Sequence, residues 1–532
     1  MNLHKKHIPG IELLIFTVIT IANLIPFIST KFFPSLDGAS HLFNANIINQ
    51  LFFHENSLFH QFFRINPEPV PNWTSHLLIA FMKLIFPAFL AEKILIAGLL
   101  AGLPFAFRSL MKTLQPDKLY LSYLIFPFTH SMFLFFGFFN FCLGVIFFLI
   151  SLNFYLRKKG EMKNFKDFLV LTLLILLTYF SHILVFGVLL ILIAAFIISE
   201  GISAWISMRS LKKQILKEFF RKTLAITLAS AIPLCLFIYF FISRPGTRVV
   251  AFLPKSQLVE YLIRIRPLIS FNTDKEGVFT ILLFFLMAIL IFSGLMVMAY
   301  RFFRKSESRP GNRHKRWLIP SISLLFFLYF LLPDAYGTAS YTSLRLNYLL
   351  FLLVVLWIAT FRLPRWIGIV AAIFALGINA LMIRYDKPIM DEFNRMAIAS
   401  NKASDFIPAN SMVLPIYLMD NWFTGHFVDY VAIDKPIVMV YNYECETGYF
   451  PVIWNLGSKP GYYIGNQADT SECLNFIQIK GHKNLKINYV FLVGSYDPAK
   501  EWFLYKLDKI LRKDYTGIYT TDFCRLYELK ER

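Results

Sequence analysis

An aspartate and a histidine four residues apart, Asp37 and His41, stand just past the first long apolar run of the chain, Ile11 to Ile28. On a helix that spacing puts both side chains on one face. A carboxylate at such a water-lipid boundary could orient an acceptor hydroxyl or take its proton, and the two side chains could share a divalent metal ion. The same aspartate precedes Gly38-Ala39-Ser40 and reads equally as the N-cap of a following helix.

Three further groups carry polar chemistry. Glu68, Asn72 and His76 lie in Asn66-Pro67-Glu68-Pro69-Val70-Pro71-Asn72-Trp73-Thr74-Ser75-His76, where three prolines predict a stiff extended approach to the second apolar run. That stretch either lines a cavity or anchors the chain at the interface around Trp73. His130, Asn140, His182 and Arg345 fall within or beside apolar runs, where a polar group is costly and faces a cavity or a partner helix. Arg244, Arg248, Lys255, Arg264 and Arg266 cluster in a segment that the charge pattern places outside the cytoplasm. Cations on that side suit an anionic ligand such as a lipid phosphate, or simply head groups and solvent.

The elements that must position these residues are membrane helices. Of the 532 residues 57% are hydrophobic and only 16% charged, and 59 are phenylalanine, a composition that needs lipid as part of its solvent. The formal net charge of +20 sits in short gaps between apolar runs, such as Arg157-Lys158-Lys159, Arg209 to Lys222 and Arg301 to Lys305. That is the pattern of cytoplasmic loops and excludes a nucleic-acid-binding face. Twelve runs approach the roughly 20 residues that a bilayer requires, near 11–29, 73–90, 92–109, 119–136, 138–156, 167–181, 183–200, 224–243, 277–300, 317–333, 346–361 and 366–384. The first reads as a retained helix, not a cleaved leader. A cytoplasmic N-terminus with an outward tail demands an odd number, so the expectation is 11 or 13 spans, with the irregularity between 73 and 156 and a break at Gly137.

The predicted organisation is thus an α-helical polytopic membrane region, 1–384, and a C-terminal α/β soluble domain, 385–532. The outer loop 31–72 is expected to carry a half-exposed helix from Gly38 to His54 along the membrane surface. In the tail, Asp391–Asp405 and Pro498–Arg512 read as helices. Met412–Tyr417, Ile437–Tyr443, Asn488–Gly494 and Tyr519–Leu529 read as strands. Cys445 and Cys473 could pair if the tail is outside the cytoplasm, leaving Cys524 over; no spacing resembles a zinc site.

Taken together, these residues resemble the GT-C superfamily of integral-membrane glycosyltransferases, which includes the protein O-mannosyltransferases and lipid A aminoarabinose transferases. More closely, the chain is similar to a group of uncharacterised bacterial multi-span proteins of that type. The resemblance rests on Asp37-Gly38-Ala39-Ser40-His41, Pro71-Asn72-Trp73, Ala91-Glu92-Lys93, Gly137-Phe138-Phe139-Asn140-Phe141-Cys142, and Asn442-Tyr443-Glu444 with Gly448-Tyr449-Phe450-Pro451. The better-known families often carry two adjacent acids in the first loop, whereas here Gly38 follows Asp37. The resemblance implies a bacterial inner-membrane enzyme with an extracytoplasmic tail and a polyprenyl-phosphate sugar as donor. Its acceptor would be a glycan, lipid or protein. It further implies Asp37 as base, supported by His41; Arg345, Arg266, Arg264 and Arg248 on the donor phosphate; and Asn442, Tyr443 and Glu444 at the acceptor. It predicts that Asp37 and the arginines meet in one outward cavity. A polyprenyl-sugar polymerase or ligase, a transporter of lipid or saccharide, and a scaffold without activity are the rival readings.

Overall fold

A computed structural model describes residues 8–162, 164–207, 212–243, 250–303, 317–337, 340–418, 421–455, 487–499 and 502–531. The chain is mostly helical and divides into two compact units. The first comprises Met1–Leu24, Gly98–Leu134 and Phe139–Asp386; the second comprises Ile25–Ala97, Phe135–Phe138 and Lys387–Arg532.

The first unit is built of apolar helices. Among the described residues six helices of the chain are long and apolar enough to cross a membrane, or seven if Lys212–Ala229 and Ala231–Ile242, bent by 59°, are one span. Leu318–Leu331 and Thr342–Ile358 are shorter apolar helices. On Thr273–Phe303 the side chains of Ile289, Phe292 and Met296 are 61, 65 and 55% exposed, a surface that only lipid can cover. Three of the twelve predicted runs are not continuous helices, 224–243 being divided between Lys212–Ala229 and Ala231–Ile242. Residues 73–90 form the ten-residue helix Thr74–Lys83 and a turn, because Pro87 has no N–H and opens the next helix, Ala88–Leu114. Residues 119–136 break into the 3₁₀ stretch Pro116–Ile125, kinked at Lys118, then Phe126–Thr129 and Met132–Phe135. The break at Gly137 is present, with φ at +78°.

The second unit joins the first loop to the tail. Its helices are α1 (Gly38–Phe53), α2 (Thr74–Lys83), α3 (Tyr443–Thr447) and α4 (Trp502–Asp514). Its strands are β1 (Phe63–Ile65), β2 (Met412–Leu418), β3 (Val438–Met439), β4 (Val452–Trp454), β5 (Tyr489–Gly494), β6 (Tyr515–Thr520) and β7 (Cys524–Leu529). Five of them make a mixed sheet in the order β3-β2-β5-β7-β6, parallel at β2 with β3 and β5, antiparallel beyond. The sheet's centre is apolar: Val413, Leu414, Ile416, Val490, Phe491 and Leu492 are all buried. Strands β2 and β5 and helix α4 match the sequence pattern. The expected helix 391–405 is instead the end of one 39-residue helix, Arg365–Ala403, which runs through Pro388. The single strand expected at 519–529 is a hairpin, closed where Thr521 N–H meets the Cys524 carbonyl at 2.8 Å.

Strands β1 and β4 pair antiparallel, Phe63 opposite Trp454, and weld residues 63–65 of the loop to the tail. Asn66 N–H continues the ladder to the Pro451 carbonyl at 2.7 Å. Asn46 donates to the carbonyls of Ala432 and Lys435 at 3.0 and 2.9 Å. As a result α1 is not the half-exposed surface helix predicted from its pattern: every residue from Gly38 to Asn49 is buried. Asn44 and Asn46 face amides and carbonyls of the tail, and Asn49 donates to the Ala80 carbonyl at 3.0 Å.

The strap 135–138 crosses the start of α1. Leu36 and Asp37 N–H bond to the carbonyls of Phe135 and Phe136 at 3.2 and 3.1 Å. Gly137 passes so close that a Cβ would lie 2.8 Å from Gly38 N and 3.1 Å from the Asp37 Cβ. Its positive φ adds backbone strain for any side chain. Gly137→Ala is expected to destabilise the chain by roughly 1–3 kcal/mol. The check is the unfolding temperature of the detergent-solubilised protein; a variant that melts with the wild type would refute the tight crossing.

Candidate functional site

The second unit concentrates ionisable side chains at the N-terminal end of α1. His41, one turn into α1, is 3% exposed; His76 of α2 and Glu444 of α3 are fully buried. Glu444 lies between the two imidazoles, with Oε1 at 2.6 Å from His41 Nδ1 and Oε2 at 2.8 Å from His76 Nε2. The same two ring nitrogens are 3.0 Å apart. His41 Nε2 donates to the Gly137 carbonyl at 2.8 Å. His76 bonds to the backbone of Asn72.

Local sequence explains this placement. Asn442 is the N-cap of α3 and its side chain accepts from Glu444 and Cys445 N–H at 3.1 and 3.3 Å. It also pairs with Asn44 of α1, donating to Asn44 Oδ1 at 2.8 Å and accepting from Asn44 Nδ2 at 3.4 Å. Asn72 takes a left-handed φ of 69°, which turns the extended proline stretch into α2.

Burial alone would push Glu444 up, but the two histidines outweigh it and hold the carboxyl well below its usual range. For His41 burial works downward and is outweighed by Glu444, so its pKa rises. For His76 burial wins and the pKa falls.

Asp37 stands at the N-cap position of α1 but its side chain caps nothing. Its Oδ1 is 3.7 Å from His426 Nε2 instead. The His426 ring stacks on Tyr443 with centroids 4.4 Å apart, and the Tyr443 hydroxyl lies beside Asp37. Burial lowers His426 to about 4, leaving it neutral. Asp429, next to Ser40, is buried and its carboxyl is pushed well up, by burial first and by Glu444 and Asp37 second. Beside Asp37 the Tyr443 hydroxyl bonds to the carboxylate and Ser40 bonds to Asp429, while the buried His426 Nδ1 finds no hydrogen-bond partner among the described residues. The sequence reading missed His426 and Asp429. The only available signal was a histidine and an acid three apart in a tail of ordinary composition.

Of the residues singled out from sequence, Asp37, His41, His76, Asn442, Tyr443 and Glu444 therefore come together. Glu68 and Asn72 belong to the same unit but sit on the extended stretch, where Glu68 N–H bonds to the Asn66 side chain at 3.0 Å. His130, Asn140, His182, Arg264, Arg266 and Arg345 belong to the first unit. There His130 joins a buried network with Asn23, which also holds Thr129 and Asn379 at 2.9 and 2.8 Å. Asn140 is buried in the first turn of Phe139–Arg157. His182 caps Phe165–Ser181 and meets the Phe141 ring edge-on at 5.2 Å. Arg264 pairs with Glu260 at 3.0 Å, and Arg266, after the left-handed Ile265, donates to the Ile269 carbonyl at 2.6 Å. Arg345 opens Thr342–Ile358 and lies over Phe141 at 5.8 Å. Phe141 lines a small apolar crevice with Leu103, Phe128, Cys142 and Tyr348. Arg248 and Cys473 lie outside the described residues, and Cys445 is a buried free thiol.

Replacing Asn442 by alanine removes two cap bonds and the amide pair with Asn44. The expected cost is about 2 kcal/mol. The Asn44→Ala, Asn442→Ala double variant should cost less than the sum of the singles, since both remove one pair. Additive losses in melting measurements would show that the pair is not coupled.

No protein-family model matches the chain, and no curated protein matches it. Among solved structures it is similar to the crystal structure of the Archaeoglobus fulgidus oligosaccharyltransferase in complex with Zn and sulfate. The match has 13% identity and a TM-score of 0.42, and covers 97% of this chain and 73% of that one. At that similarity the residues of the site, not the likeness, must carry the function.

Proposed function

We propose that the chain is an integral-membrane glycosyltransferase of the GT-C kind, which moves a sugar from a polyprenyl-phosphate donor to an extracytoplasmic acceptor. The observation that carries this reading is the state of Asp37. It is a carboxylate at a helix start that does not cap, set by the backbone bonds to the 135–138 strap and faced by the Tyr443 hydroxyl and the His426 ring. An N-cap role would use that carboxylate on the helix.

In this reading the acceptor hydroxyl lies against Asp37, with the Tyr443 hydroxyl within reach to orient it. Asp37 takes the hydroxyl proton as the acceptor oxygen attacks the anomeric carbon. The bond from that carbon to the phosphate oxygen breaks, the configuration inverts, and polyprenyl phosphate leaves.

The test is turnover by the full chain in vesicles supplied with a panel of polyprenyl-phosphate sugars, read as release of polyprenyl phosphate. Asp37→Asn is expected to lower the rate by about 100-fold or more while the unfolding temperature stays that of the wild type. Undiminished turnover in that variant removes the base. Movement of the intact lipid across the bilayer with no release would favour transport and overturn the transferase.

A further inference from the structure

We infer that His41, His76 and Glu444 form a binding site for one divalent transition-metal ion of the zinc class. Three stretches of chain supply the ligands, and their donor atoms all lie within 4.8 Å of one another. Two imidazoles and a carboxylate are a donor set that suits such an ion and would be a poor choice for calcium or magnesium, which favour oxygen.

The argument is one of proton counting. The Gly137 carbonyl can only accept, so His41 Nε2 carries the proton facing it. In the neutral ring Nδ1 then points inward with a lone pair. It faces His76 Nε2 at 3.0 Å and Glu444 Oε1 at 2.6 Å. His76 Nε2 in turn faces Oε2 at 2.8 Å. Left to themselves, electron-rich atoms would not collect at such distances inside protein. Protons alone satisfy the cluster poorly. Two N–H groups donating to the two oxygens of Glu444 would stand 3.0 Å apart with their hydrogens crowded together, and a protonated Glu444 serves a single nitrogen. One divalent cation satisfies all three donors at once.

The surroundings fit a metal site as well. A ligating histidine ordinarily fixes its far nitrogen on a carbonyl or carboxylate, as His41 does on Gly137; His76 also bonds to the backbone, at Asn72. A tetrahedral ion with ligands at about 2.0–2.1 Å holds them roughly 3.3 Å apart, so small ring rotations admit it. The site does not include Asp37, and it is independent of the transferase reading: a chain that moves no sugar could still bind the ion.

The experiment uses the full chain, purified without an affinity tag from cells supplied with Zn2+, and measures metal by elemental analysis. The expected result is about one equivalent per chain, lost in His76→Gln and Glu444→Gln. Since a buried variant can fail to fold, a second measurement needs only the wild type. The chain is stripped with a chelator and reloaded with Co2+, and the expected visible absorption is that of a low-coordinate cobalt site with nitrogen ligands; Zn2+ should abolish it. Stripping should also lower the unfolding temperature, and Zn2+ should restore it. A wild type that holds no metal and shows no cobalt spectrum overturns the site. So does metal retained in full by both folded variants, which would place it elsewhere.

Discussion

The second unit is organised by one carboxylate held between two imidazoles. Glu444 meets His41 and His76 across 403 and 368 residues of sequence, in a place from which water is excluded. A buried charge of that kind is tolerated only when it is paired, and removing one partner costs far more than the pairing gains. The rest of the loop-tail junction serves that requirement. The β1–β4 ladder sets the tail's register against the loop, the Asn44–Asn442 pair holds α3 on α1, and the Gly137 carbonyl sets the tautomer of His41.

Burial then sorts the neighbouring acids. Glu444 is kept ionised by its histidines, whereas Asp429, equally buried without a cation beside it, is pushed toward the neutral form. Asp37 differs from both, because its side chain keeps 13% exposure. Three carboxyl groups around one helix start thus have three environments, the circumstance in which a single site can hold both a proton donor and a proton acceptor near neutral pH.

Much of this was legible from the sequence in pieces. His41, His76 and Glu444 each stood out, but in three separate clusters, and the link between them runs through three-residue strands too short to show a period. The apolar run 119–136 is indistinguishable by composition from a span; its broken course comes from Pro116, Pro127 and the kink at Lys118. The tail strands β2 and β5 were visible as compact apolar runs. The β6–β7 hairpin was not, since its turn at Thr521-Asp522-Phe523 lacks the glycine or proline that would announce it. The helix α1 was foreseen in position and misjudged in exposure: its asparagines read as a wet face, yet Asn44 and Asn46 hydrogen-bond to the tail and Asn49 to Ala80.

The sequence separation inside the His76–Glu444 contact bears on how the protein is made. A ribosome adding about 5–20 residues per second needs on the order of 20–70 seconds to travel the 368 residues from one to the other. Throughout that interval Asp37, His41 and His76 stand without their completing acid, so a chain stopped before residue 444 lacks the junction. The residue that locks the loop is therefore made long after the segment it holds.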